Sequence, residues 1–90
     1  MIYEWDENKA ATNLVKHGVS FEEAKTVFDN PWYVDFYDPD HSYGEHRFIL
    51  LGESTQRRLL FVSYMERKDS IRLISAREAI ALERKAYEQQ

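Results

Sequence analysis

The 90-residue sequence has no cysteine, three glycines and two prolines. Without thiols there is no disulfide framework, no thiolate nucleophile and no cysteine-based zinc site. Glycines at 18, 44 and 52 alone cannot build the glycine-rich turn that cradles nucleotide phosphates. No serine sits in the context of a nucleophile elbow. No apolar run approaches the ~20 residues of a membrane-spanning helix. The opening Met1-Ile2-Tyr3-Glu4-Trp5-Asp6 lacks the basic-then-apolar layout of an export signal, so a cytoplasmic protein without membrane attachment is expected. Aromatic residues, in contrast, are plentiful. Five Phe, six Tyr and two Trp, in a chain that is 43% hydrophobic, are enough to fill one core, and one domain over residues 1–90 is expected.

Charge is distributed unevenly. The net charge is −4 and the sequence pI about 5.3. Residues 1–45 carry three cations against ten carboxylates, a balance of −7, whereas residues 46–90 carry nine against six, a balance of +3. Seven of those nine are arginines, at 47, 57, 58, 67, 72, 77 and 84. A polarised chain can present a local cationic surface that a uniformly acidic one cannot. Arginine grips phosphate with a planar fork of donors, so the choice suits a phosphate-bearing ligand. For any single arginine, a solvated strand edge or a helix-face ion pair is the plainer account.

Periodicity gives the elements. Residues 2–5 read as a short strand, and Asp6 as the N-cap of a helix over residues 7–17 with Ala10, Ala11 and Leu14 inward. Gly18 then suits a left-handed C-cap, with Lys16 and His17 in the last turn where cations suit the dipole. Ser20-Phe21-Glu22-Glu23 is a capping box for a second helix whose apolar stripe is Phe21, Ala24, Val27 and Phe28, stopped by Asn30-Pro31. Strands are expected over 32–36, 46–52, 58–66 and 70–76, with one long polar loop over 37–45. Ser75-Ala76-Arg77-Glu78 reads as another capping box, opening a helix to about Glu88 that packs through Ala79, Leu82, Ala86 and Tyr87. The order β-α-α-β-β-β-β-α describes an α+β domain with helices against an antiparallel sheet.

Three histidines (17, 41 and 46) and the loop carboxylates Asp38, Asp40 and Glu45 lack the spacing of a helical zinc site or a calcium loop, so no metal and no cofactor are expected. A polar set at the ends of the elements remains: Lys16, His17, Arg47, Glu66, Arg67 and Arg77. Metal-free RNA cleavage needs a base, donors for a negatively charged phosphorane and a proton for the leaving oxygen, and this inventory contains all three. Arg67 and Arg77 are the expected phosphate clamps, reaching a shared cleft. His17 is the general acid or base, Glu66 a base or an arginine's partner, and Lys16 and Arg47 the substrate-binding cations. Each has a plainer structural role available: a helix cap for Lys16 and His17, cross-strand or hairpin ion pairs for the others. Trp32 is either core or a stacking surface for a base. A helix-turn-helix over the first two helices fits poorly, because the acidic second one would repel DNA phosphates. A small protein-binding module is the alternative.

Several runs resemble one family. Glu4-Trp5-Asp6-x-x-Lys9, Asn13, Lys16-His17-Gly18-Val19-Ser20-Phe21-Glu22-Glu23-Ala24 and Val27-Phe28-Asp29-x-Pro31 look like the opening of BrnT-type toxins. Gly44-Glu45-x-Arg47, Glu66-Arg67, Ile71-Arg72-x-Ile74-Ser75-Ala76-Arg77, Glu83 and Tyr87 are similar to the rest. The resemblance implies a RelE-like fold and the endoribonuclease toxin of a type II toxin–antitoxin pair, which inhibits translation. It also implies a cognate BrnA-type antitoxin encoded nearby, promoter DNA contacted only through that antitoxin, and a homo-oligomer within the complex. Lys16, His17, Arg47, Glu66, Arg67 and Arg77 are carried over as its site residues.

Overall fold

The computed structural model describes residues 1–90. Its elements are β1 (Ile2–Glu4), α1 (Glu7–His17), α2 (Phe21–Thr26), β2 (Val34–Tyr37), β3 (Arg47–Glu53), β4 (Leu59–Glu66), β5 (Ser70–Glu78) and α3 (Ala81–Glu88), with 3-10 turns at Val27–Asp29 and Pro39–His41. The expected order is found. The five strands form one sheet in the order β1-β5-β4-β3-β2. All neighbours are antiparallel except β1, which joins the edge of β5 in parallel, with Tyr3 opposite Ile71.

Caps set the helices. Asp6 accepts from the backbone N–H groups of Asn8 and Lys9, and Gly18 takes φ 69°, which ends α1 at little steric cost. Ser20 accepts from Glu23 N–H as the second capping motif predicts. The second helix is shorter than its stripe suggests, tightening into the 3-10 turn before Pro31.

One face of the sheet is covered. Val19, Phe21, Ala24 and Val27 pack on Leu50, Leu60, Val62 and Leu73, all fully buried or nearly so. An aromatic ladder Tyr3–Phe28–Tyr64–Phe48–Tyr37 extends that core toward β2, with centroids 5.1–5.8 Å apart. Gly52 lies where a Cβ would come within 2.9 Å of Val27 and Tyr33, so this point of β3 admits only glycine without rearrangement.

The inward residue of α1 is unexpected. Leu14 is 52% exposed, and Asn13 is buried in its place. β1 covers β5 only at its beginning, so the far edge of β5 has unpaired backbone groups. The Asn13 carboxamide supplies the partner: Nδ2 donates to Ala76 O (2.8 Å) and Val19 O (2.9 Å), and Oδ1 accepts from Ala76 N–H (3.0 Å). Asn13→Leu leaves these groups buried and unpaired, so urea unfolding is expected to show a loss of about 1–3 kcal/mol despite the added apolar volume.

The end of the chain also departs from expectation. β5 continues through Arg77 and Glu78, which pair with Phe61 and Leu60, so Ser75–Glu78 is strand and not a helix cap. The cap lies five residues later, where Ile80 N–H donates to Glu83 Oε1 at 3.0 Å. α3 buries no residue; Leu82 is 75% exposed, and Ala86 faces solvent. Tyr87 does make contact, donating to Trp32 O at 3.1 Å. With Glu83 tied to β5 and Tyr87 to the chain before β2, α3 crosses one end of the sheet's second face.

Candidate functional site

That second face is where the arginines gather. β4 side chains alternate, so Leu60, Val62 and Tyr64 enter the core while Phe61, Ser63 and Met65 point the other way. Register then places Arg47 of β3 and Arg72 of β5 on either side of Met65, and Arg77 beside Phe61. A register shift at Ser63/Tyr64 leaves Ile74 of β5 unpaired and restores this alternation on both sides. Phe61 and Met65 are four strand positions apart, about 13 Å. The arginines therefore line a strip longer than a single phosphate.

Arg77 is the most firmly held of them. Its Nη1 and Nη2 donate to Glu83 Oε1 and Oε2, each at 2.9 Å, and its guanidinium lies 4.1 Å over the Phe61 ring. The Glu83 carboxylate raises the pKa of Arg77, and Arg77 in turn holds Glu83 below the usual carboxylate range. Glu83 thus fixes both terminal nitrogens and leaves Nε without a hydrogen-bond partner.

The other expected residues do not converge on this point. Arg67 lies in the β4–β5 turn, six strand positions (about 20 Å) from the Phe61–Arg77 pair, and binds Glu4 (3.0 Å) and Glu45 (3.2 Å). Arg67 and Arg77 thus share no cleft. Glu66 ends β4 on the opposite face, beside Tyr64, Tyr3 and Ile71. Lys16 and His17 flank the sheet, lining a recess of about 310 Å³ with Lys9, Thr12 and Ser75 against the edge of β5. Of the six, Arg47 and Arg77 stand on this face, and Arg67 reaches its Met65 end through Glu4, which also lies 3.9 Å from Arg72. Arg72 and Glu83 stand beside Arg47 and Arg77 and were not among the expected site residues. The way an unpaired Ile74 shifts the alternation after Arg72-Leu73 is not visible in the sequence, and Glu83 was hidden by the misplaced cap.

The polar loop holds no ligand cluster. His41 Nδ1 is 2.9 Å from Asp38, while His46 meets the Tyr37 hydroxyl at 3.3 Å, so the two imidazoles are turned to different partners. No group of three His, Asp or Glu side chains is placed to hold a metal ion.

Comparison with known proteins settles the family. Residues 5–83 match the family described as "Ribonuclease toxin, BrnT, of type II toxin-antitoxin system". The chain belongs to the BrnT family. Nothing among curated proteins matches it. The crystal structure of the Brucella abortus ribonuclease toxin BrnT superposes with a TM-score of 0.64 at 23% sequence identity, covering 89% of this chain and 99% of that one. The likeness confirms the BrnT fold, an α+β sheet with the helices described above. On that frame the motif residues fall into two kinds. Asn13 and Glu23 of the first signature are buried and hold elements together, whereas Arg47, Arg72 and Arg77 of the later ones stand on the second face. No helix is long and apolar enough to cross a membrane.

Proposed function

We propose that this chain is the toxin of a type II pair, an endoribonuclease that cleaves RNA without a metal ion and thereby stops translation in the cytoplasm. A cognate antitoxin encoded beside it holds it inactive, in a complex that contains more than one copy of the toxin and reaches promoter DNA only through the antitoxin. The observation that carries this reading is the strip of Arg47, Arg72 and Arg77 over Phe61 and Met65 on the second face of the sheet.

In this mechanism RNA lies along the strip. Arg47 and Arg72 bind flanking phosphates as forked donors, and Phe61 and Met65 offer apolar surface to a base. The ribose 2′-oxygen attacks the adjacent phosphorus and the 5′-oxygen leaves, a proton passing from the 2′-hydroxyl to the 5′-oxygen, while Arg77 neutralises charge gathering on the phosphorane. The products are a 2′,3′-cyclic phosphate and a 5′-hydroxyl. Arginine supplies the positive charge that a metal ion would otherwise contribute. His17 and Lys16 serve from the β5 edge, where their recess meets Ser75, and His17 is the proton carrier. Arg67, at the far end of β4, contacts RNA that extends past the strip, whereas Glu66 faces away from it.

Expression alone is expected to arrest growth, and co-expression of the neighbouring gene to restore it. Purified protein is expected to cleave RNA in excess EDTA and to leave cyclic phosphate ends. Activity lost on chelation and regained with one divalent ion would show the metal-free mechanism to be wrong.

A further inference from the structure

A recess on the opposite face has chemistry unlike the arginine strip. It is a cavity of about 330 Å³ between the β1 end of the sheet and the 3-10 turn after α2. Tyr3, Phe28, Tyr33 and Tyr64 supply ring surface, and Asp29, Asp35 and Glu66 stand at its margin. None of these three carboxylates takes part in an ion pair, although Glu4, Glu23, Glu45, Glu78 and Glu83 all do. Asp35 accepts one bond, from the Tyr64 hydroxyl at 3.2 Å. The negative charge reaches the walls: burial and then Asp35 push the Tyr64 hydroxyl up, and burial and then Asp29 do the same to Tyr3. Lys25, 5.9 Å from the Tyr3 ring centroid, is at the outer limit of a cation–ring contact and does not line the recess.

The occupant follows from these walls. An anion is repelled by the rim, and a purely apolar group would strip water from three carboxylates without replacing it. A cation on an aliphatic stem satisfies both parts, its stem and charge against the ring faces and its donors toward the carboxylates. Met1 and Tyr33 are exposed at the mouth, so a second chain can reach in. We propose that this aromatic, carboxylate-rimmed recess seats an arginine or lysine side chain of the antitoxin, anchoring it to the acidic side of the toxin. The inference rests on the toxin–antitoxin reading above.

The test is titration of the co-encoded antitoxin into the chain carrying Asp29→Asn and Asp35→Asn, two near-isosteric changes outside the proposed catalytic strip. Affinity is expected to fall by about thirtyfold or more, the effect of removing one side of a desolvated charge pair, while RNA cleavage is unchanged. A second arm replaces the antitoxin's arginines and lysines one at a time with glutamine. One of them is expected to reproduce the loss, even if the toxin variant folds poorly. Arginine amide is expected to shift the ring resonances of Tyr3 and Tyr33 where norleucine amide does not. Undiminished affinity in both titration arms overturns the anchor while leaving the toxin–antitoxin reading intact. Self-association of the chain that the double variant abolishes puts a second copy in the recess and equally overturns the antitoxin assignment. An unmodified chain that neither arrests growth nor binds the neighbouring gene product overturns the underlying reading instead.

Discussion

Glu23→Ala is expected to lower folding stability by about 3–5 kcal/mol, the cost of removing one partner from a buried ion pair. The Glu23 side chain is 2% exposed. Its Oε2 accepts from Arg58 Nε at 3.0 Å and from the Ser54 hydroxyl at 2.7 Å, while Oε1 binds Arg58 Nη2. Arg58 also donates to the Gly18 carbonyl (3.0 Å) and Glu78 (3.4 Å). One carboxylate thus ties α2 to the β3–β4 turn, the end of α1 and the end of β5. Without it the guanidinium keeps only weak partners in a half-buried place. Replacing both charges, as Glu23→Met with Arg58→Met, should restore part of the loss, because the unpaired charge is then gone. Urea melts of the three variants provide the measurement. A loss below about 1 kcal/mol for Glu23→Ala would mean that the pair is no more than a surface contact.

The same pair gives stability a sign with respect to pH. Arg58 chiefly, then the Ser54 hydroxyl, hold Glu23 below its usual 4.5, against the opposing effect of burial; Arg77 does the same for Glu83. A carboxylate whose folded pKa is lowered stabilises the fold fully above the unfolded value. That contribution is lost as pH falls from about 4.5 through the lower folded pKa, because the unfolded chain takes up the proton first. Melting temperature is therefore expected to drop on acidification below pH 5, and less steeply in Glu23→Gln.

Local signals were legible wherever the chemistry is local. Asp6, Gly18 and Ser20 sit at helix ends because their side chains, or the lack of one, satisfy the neighbouring backbone, and adjacent residues suffice to show it. The three hairpin-connected strands were likewise visible from alternation and short connectors. Signals that depend on distant partners failed. Ser75-Ala76-Arg77-Glu78 has the composition of a capping box, yet pairing with Leu60 and Phe61 carries the strand on through it. Leu14 has the spacing of an inward residue, but the surface α1 meets is a bare strand edge that needs donors and an acceptor, so Asn13 turns inward. The parallel placement of β1 leaves no local trace at all.

The candidate site was legible by residue type and not by arrangement. Arg47 and Arg77 come from the arginine-rich half of the chain, and register sets both on one face of the sheet. Arg67 and Glu66 are adjacent in sequence to strand positions that matter, yet one lies in a turn between two carboxylates and the other faces away. Strand alternation separates neighbours onto opposite faces, and a single unpaired residue at Ile74 changes which ones.

Arg77→Gln is expected to slow RNA cleavage by about 30- to 1,000-fold. That is the rate equivalent of the roughly 2–4 kcal/mol lost when one preorganised donor to a developing charge is removed. Preorganisation is what ranks Arg77 above Arg67. Glu83 fixes both terminal nitrogens and Phe61 supports the plane, so the guanidinium needs no reordering as charge develops. Arg67 is 40% exposed and shared between two carboxylates that a phosphate must displace, so Arg67→Gln should cost less than about tenfold. Arg77→Lys should recover only part of the rate, because an ammonium retains the charge and loses the fork. Glu83→Gln should lie between, since it leaves the arginine in place but loosens it. Folding stability should change by only about 1 kcal/mol in Arg77→Gln, because the pair is partly exposed, at 32% for Arg77 and 20% for Glu83. Single-turnover cleavage with a thermal melt on each variant distinguishes the outcomes. Equal losses at Arg67 and Arg77 would move the reacting phosphate to the β4–β5 turn. A loss at Arg77 accompanied by unfolding would make the arginine a strut for α3 and leave the strip without its central donor.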